Sequence, residues 1–155
     1  METVSFLATT QIVEVVSAFH DALEDHKESI NRLNVYPVPD GDTGTNMFLT
    51  VGSVLEEMKA VAFDDRDAVC AALSHGSLMG ARGNSGVILS QVLRGMSACF
   101  AQADAIDGDV LASALTEASV AADGAVMKPV EGTILTVVRE VARAAREAAE
   151  TSAIL

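Results

Sequence analysis

Apolar residues recur along this chain at helical rather than strand spacing. Ile12, Val16, Phe19 and Leu23 step by four, three and four, which is one face of a helix. Asp21, Glu24, Asp25 and Lys27 fall mostly off that face, and the pattern predicts a first helix over about 4–28. Met47, Val51, Val54, Leu55 and Met58 mark a second from about 45, and Ala68, Ala71 and Ala72 a third over 66–79. A fourth spans about 85–102, with Leu89, Val92, Met96 and Phe100 inward. The turn Asp107-Gly108-Asp109 caps a fifth, about 109–125, through Leu111, Ala114, Leu115 and Ala118. A sixth covers about 133–151 through Ile134, Val138, Val141 and Ala145. No segment alternates as a strand does, so the expected fold class is all-α.

The interruptions carry as much information as the helices. Glycine-rich polar loops precede helices two, four and six: 40–46, 83–86 and 132–133. The linkers before helices three and five lack this character. Short connections favour antiparallel neighbours, and alternate helices of such a bundle begin at the same end. The three loops are therefore expected to meet at one pole, each bringing unpaired helix N–H groups and the positive end of a dipole.

At 155 residues the chain suits one domain with a real core. Half its residues are apolar but only 4% are aromatic, and there is no Trp, which fits closely packed helices. The net charge of −12 argues against a nucleic-acid partner. It would also repel a polyanion such as ATP unless metal ions and helix N-termini offset the field locally. Cys70 and Cys99 share no metal or redox spacing and read as free thiols in a reducing compartment. The opening Met1-Glu2-Thr3 is no basic-then-apolar leader, and no apolar run is long enough to span a bilayer. A cytoplasmic location is expected.

The stretch from Leu33 to Met47 holds the densest chemistry. Asp40 and Asp42, separated by Gly41, can aim two carboxylates at one hard cation, and Thr43-Gly44-Thr45-Asn46 can offer short polar groups to an anion. The bland alternative is a turn, since Asp and Gly are good turn residues. A calcium loop fails: counted from Asp40, Thr45 and Val51 stand where that loop needs glycine and a bidentate acid. Elsewhere the plain readings hold. His75 is structural, and His20 and His26 are solvated on the first helix. The acids and arginines of helix six form a solvated face, and the methionines fill the core. Arg82 and Lys128 stay open between phosphate contacts and surface ion pairs.

Three motifs, Asn34 to Met47, Leu78 to Gln91 and Val126 to Val137, resemble the N-terminal kinase domain of bacterial fatty acid kinase. That domain is similar to the ATP-binding, DhaL-type domain of dihydroxyacetone kinases. The resemblance covers nearly the whole chain. It implies an antiparallel barrel of about eight helices with ATP and two Mg ions at one end. Asp40 and Asp42 would be the catalytic metal ligands, with Asn34 as the nearest polar candidate for a third. Thr43 stands where the dihydroxyacetone branch has His. Gly44, Thr45 and Asn46 would hold phosphates from helix two, and Gly83, Asn84, Ser85 and Gly86 would close over them. Gly132 and Thr133 would complete the nucleotide wall, with Met127 and Pro129 flanking the base. The implied reaction moves the γ-phosphoryl of ATP to a fatty acid carboxylate presented by a separate fatty-acid-binding protein.

The family domain continues for about two more helices, whereas this sequence stops at Leu155. The resemblance thus implies a domain incomplete at its C-terminus, with about six helices of eight. Its exposed apolar flanks would favour association, including a homo-oligomer. Two further readings remain open: a non-catalytic helical fragment or interaction module, and a dihydroxyacetone-type kinase domain.

Overall fold

The computed structural model describes residues 5–152, which fold into six helices. These are α1 (Thr9–Leu33), α2 (Thr43–Met58), α3 (Arg66–Met79), α4 (Gly83–Gln102), α5 (Gly108–Gly124) and α6 (Ile134–Ser152). The described residues contain no strand; one isolated bridge joins Leu7 to Ile106. The all-α expectation holds.

The first helix differs most from expectation, starting five residues later and ending five later. Leu7 is drawn into the bridge, its N–H donating to the Ile106 carbonyl at 2.7 Å. The chain turns helical only after Ala8, whose N–H is taken by the Gln11 side chain at 2.8 Å. At the other end nothing between Ser29 and Leu33 breaks a helix, and Ile30 packs against the core. The remaining boundaries move by two residues or fewer. Asp107 caps α5 as expected, accepting from Val110 N–H at 2.9 Å, and Asp65 caps α3 in the same way.

Successive helices run antiparallel, and close contacts at small residues fix the order. Gly44 lies under Lys27 and Gly52 under His20, so α1 and α2 are antiparallel. Gly76 meets Val54 and Glu57 while Gly80 meets Ser53, which gives α3 the reverse direction to α2. Gly95 abuts Glu117 and Ala118 of α5. The α2 and α4 helices, both flanking α3, lie side by side and parallel: Gly83 faces Asn46 and Gly86 faces Thr50. The last helix leans on α5, where the Arg146 guanidinium donates to the Thr116 hydroxyl at 2.7 Å.

The main core gathers Ile12, Val16, Leu23, Val51, Val54, Met58, Val69, Leu73, Leu89 and Phe100, mostly from the anticipated stripes. A smaller cluster of Val92, Ala118, Ala122 and Leu135 seats the start of α6. Three residues expected inward are exposed: Ala71, Leu111 and Val141. Each lies beside the true contact stripe, which on α5 is the alanine row Ala114, Ala118 and Ala122. His20 is not solvated; it stacks on Phe48 with ring centroids 4.5 Å apart. Both cysteines are free, and burial pushes the Cys70 thiol up. No described helix is long and apolar enough to cross a membrane.

The glycine contacts yield a paired stability prediction. A Cβ at Gly44 would sit 2.3 Å from the Lys27 carbonyl oxygen, which is backbone and cannot turn aside. Gly44→Ala should therefore separate α1 from α2 and cost about 1–3 kcal/mol in denaturant unfolding. A Cβ at Gly124 meets nothing within 4 Å, so Gly124→Ala should fall between neutral and about 1 kcal/mol stabilising.

Candidate functional site

The up-and-down order brings the starts of α2, α4 and α6 to one pole. Each is preceded by a glycine in left-handed conformation or begins with one: Gly41 at φ 66°, Gly83 at 58° and Gly132 at 79°. These are the only positive-φ residues among those described. L-side chains rarely adopt this conformation, so each turn needs its glycine. The linkers before α3 and α5 lie at the opposite pole, where the Arg66 guanidinium donates to the Asp104 carbonyl at 3.2 Å.

The starts of α2 and α4 touch. A Cβ on Gly83 would fall 2.2 Å from Asn46 Nδ2, and one on Gly86 would fall 2.5 Å from Thr50 Oγ1. Thr50 is fully buried. Its hydroxyl donates to the Asn46 carbonyl at 2.7 Å and accepts from Arg82 N–H at 3.2 Å, tying the entry of α4 to the first turn of α2.

The two N-termini are nevertheless used differently. At α2, asparagine amides already occupy the backbone donors. Asn34 Oδ1 accepts from Asp42 N–H at 3.1 Å and from Thr43 N–H at 3.2 Å, and its Nδ2 donates to the Val38 carbonyl at 3.0 Å. Asn31 Oδ1 accepts from Thr45 N–H at 3.1 Å, and its Nδ2 donates to the Thr45 hydroxyl at 2.9 Å. Asn46 N–H bonds to the Asp42 carbonyl at 2.8 Å. The expected anion cradle on Gly44, Thr45 and Asn46 backbone is thus mostly filled by the protein itself. The Asp42 side chain, at the N-cap position, makes no capping bond. Two asparagines do the capping that an N-cap aspartate usually does, and the carboxylate is not spent on the helix.

At α4 the donors stay open. Gly86 N–H bonds to the Arg82 carbonyl at 2.9 Å, while Gly83, Asn84 and Ser85 N–H have no such partner. The Ser85 hydroxyl is the one buried side-chain polar atom among the described residues without a hydrogen-bond partner. A buried hydroxyl left unpaired costs about 1–3 kcal/mol, and a ligand oxygen would recover it. Arg82 does not point to this opening: its guanidinium donates to the Gly80 and Ala81 carbonyls at 3.0 and 3.2 Å, closing the end of α3.

The third loop shares the pole, and nothing lies within 4 Å of a Cβ on Gly132. Thr133 donates to the Val130 carbonyl at 2.7 Å. Met127, Lys128 and Pro129 are exposed in the same loop. Glu131 accepts from Arg139 at 2.5 Å and from the Thr136 hydroxyl at 3.0 Å, and these bonds hold its carboxyl below the usual range.

Asp40 is exposed and Asp42 half-buried, flanking the left-handed Gly41. Two carboxylates on a tight turn fit a hard divalent cation. Among the described residues no group of three His, Cys, Asp or Glu side chains converges, so phosphate and water oxygens would have to complete the shell. Mg²⁺ is commonly held in that way. Asn34, by contrast, has both ends of its amide committed to the loop. Asn31 and Thr50 were missed from sequence, because their partners are set by how α1 and α4 align on α2.

The model of the DAK2 domain matches residues 37–155. Protein YloV of Bacillus subtilis strain 168 is 48% identical over 137 residues, which are 88% of this chain and 25% of that protein. An uncharacterised protein of Staphylococcus haemolyticus is 48% identical over 128 residues, 83% of this chain and 23% of its own length. One from Staphylococcus aureus strain USA300 is 47% identical over 130 residues, 84% of this chain and 24% of its own. The chain therefore spans about a quarter of the curated relatives it matches. With most of its length matched by the domain model, the chain belongs to the DAK2 domain family, a dihydroxyacetone-kinase-like group.

Proposed function

We propose that this chain is the nucleotide-binding part of a cytoplasmic fatty acid kinase, which transfers the γ-phosphoryl of ATP to an acyl carboxylate. The observation that carries the reading is the pairing at one pole: an acidic turn whose carboxylates are uncommitted stands beside a helix start with open donors and an orphaned buried hydroxyl. Asp40 and Asp42 would hold Mg²⁺, two ions by family resemblance, which when bound offsets the charge of the phosphates. Asn34 positions the acidic turn, and Asn31 holds the first turn of α2 behind it. Gly83, Asn84 and Ser85 receive phosphate oxygens through N–H groups and the Ser85 hydroxyl, and Gly86 permits the close approach of α4 to Thr50. Thr43, Gly44, Thr45 and Asn46 shape the floor between metal and phosphate, with Asn46 Nδ2 at the entry of α4. Gly132 and Thr133 form the third wall, with Met127 and Pro129 toward the base.

In the reaction a carboxylate oxygen bonds to the γ-phosphorus as the bond to the β–γ bridging oxygen breaks. An acyl phosphate forms and ADP leaves. A carboxylate attacks already ionised, so no general base is required. Catalysis then asks for position and charge neutralisation, which is what the pole offers. A triose hydroxyl would need its proton removed, and Thr43 stands where the dihydroxyacetone branch has His. The lip of the acidic turn also favours an apolar acceptor: Leu33, Val35, Tyr36 and Val38 are all more than half exposed. Such a surface suits an acyl chain or the carrier protein that brings it.

Calorimetric titration with ATP, with and without Mg²⁺, tests the reading. Asp42→Ala should cost at least about a hundredfold in Mg-dependent binding. One unit-charge contact at ~4 Å and an effective dielectric near 20 is worth on the order of 4 kcal/mol before desolvation. Wild-type affinity in that variant would show the acidic turn to be only structural.

Ser85→Ala should weaken nucleotide binding about tenfold without loss of stability, because the hydroxyl makes no bond within the protein. Asn31→Ala should weaken binding as well, through loop disorder, but with a stability loss of about 1–2 kcal/mol. Thermal unfolding beside the titrations separates the two.

A further inference from the structure

A continuous run of hydrogen bonds joins the acidic turn to the start of α4. Gly86 N–H donates to the Arg82 carbonyl at 2.9 Å, and Arg82 N–H donates to Thr50 Oγ1 at 3.2 Å. The Thr50 hydroxyl donates to the Asn46 carbonyl at 2.7 Å, and Asn46 N–H donates to the Asp42 carbonyl at 2.8 Å. Within this run only the bond from Arg82 to Thr50 crosses between the helices; the others lie within the first turns of α4 and α2. Thr50 is fully buried and has no surface to offer a ligand. It nevertheless stands between the uncommitted Asp42 carboxylate and the open donors of Gly83, Asn84 and Ser85.

The two bonds ask opposite things of that side chain. The Asn46 carbonyl takes a donor and the Arg82 N–H an acceptor, and a hydroxyl supplies both from one atom. Valine has the same shape and neither function. Occupation of the Arg82 N–H also decides where an anion sits. A helix start presents its first free N–H groups to a ligand. With the Arg82 donor spent on Thr50, the seat begins one residue later, at Gly83, and includes the orphaned Ser85 hydroxyl. The fit is tight on the other side as well, since a Cβ on Gly86 would fall 2.5 Å from Thr50 Oγ1.

The geometry points to Thr50 as a positioning residue of this pole. Its hydroxyl fixes the spacing between a divalent cation at Asp40 and Asp42 and the polyphosphate oxygens at 83–85, so that one Mg-bound polyphosphate spans both helix starts. Phosphoryl transfer asks the protein for this kind of placement. A phosphate seated on α4 but out of register with the metal would keep its full repulsion from a chain of net charge −12. Thr50 acts through Arg82 N–H and the Asn46 carbonyl, never on the ligand itself.

This inference rests on the nucleotide-binding reading, and the experiment separates the two. Mg tripolyphosphate and MgATP are titrated into the wild-type chain and into Thr50→Val, Thr50→Ser, Gly86→Ala and Asp42→Ala, well below each melting temperature. Amide exchange at 83–85 is followed with and without Mg tripolyphosphate. Thr50→Val should weaken both ligands about tenfold and lose the protection that the ligand gives the 83–85 amides. Thr50→Ser should stay within about threefold of wild type, although serine gives up more packing volume than valine does. A packing role predicts the opposite order, and Thr50→Ser binding more weakly than Thr50→Val overturns the inference. Gly86→Ala keeps the hydroxyl but presses a methyl group against it, and should weaken binding as Thr50→Val does. It decides the matter if Thr50→Val does not fold, and wild-type affinity in Gly86→Ala then overturns the inference. If Asp42→Ala loses Mg tripolyphosphate while Thr50→Val binds as wild type, the positioning role fails and the nucleotide reading stands. Wild-type protein that binds neither ligand overturns both.

Discussion

The pole depends on how closely α2 and α4 approach each other. Two parallel neighbours point like dipole ends the same way, an arrangement that antiparallel pairs avoid. Here it is made possible by the absence of side chains at Gly83 and Gly86 and by one buried hydroxyl, Thr50, which serves both helices. The hydroxyl is well chosen for the task. It satisfies the Arg82 N–H that would otherwise be buried unpaired at the start of α4, and it does so from a residue already packed into α2. Larger residues at either glycine would push the two starts apart and dissolve the shared surface.

Once the starts are together, their roles divide. The donors of α2 are consumed by Asn31 and Asn34, and those of α4 stay open. The division follows from neighbours. The last turn of α1 runs alongside the start of α2 and can lend it side chains, whereas α4 enters from the short turn after α3, where Arg82 is occupied in closing the preceding helix. In the function proposed above, a cation held by carboxylates and an anion held by a helix start would sit next to each other, each lowering the electrostatic cost of the other. In a chain this acidic, neither would be comfortable alone.

Much of this was legible in the sequence. Helical spacing identified six elements, and most boundaries moved by no more than two residues, because apolar stripes and glycine breaks are local signals. The shared pole followed from counting helices between loops. What stayed hidden was long-range. The bond between Asn31 and Thr45 depends on the alignment of α1 with α2, and no local rule marks an asparagine as the cap of another helix. The first helix was misplaced for a similar reason, since the bridge between Leu7 and Ile106 joins residues far apart in the chain. Helical spacing points Leu111 and Val141 inward, but the buried row of α5 runs through Ala114, Ala118 and Ala122 and leaves Leu111 outside, and on α6 Ala142 is buried in place of Val141.

The attachment of α6 sets a boundary within the pole. The α2 and α4 helices are each pressed between neighbours and joined by Thr50, while α6 rests mainly on α5 and reaches the rest through one small cluster around Leu135. An element with one main interface opens at lower free energy than one packed on several sides. Two walls of the pole are therefore fixed by the core, and the third is adjustable. Slow opening events at this end should begin at α6 and its glycine loop, leaving the acidic turn and the start of α4 in register.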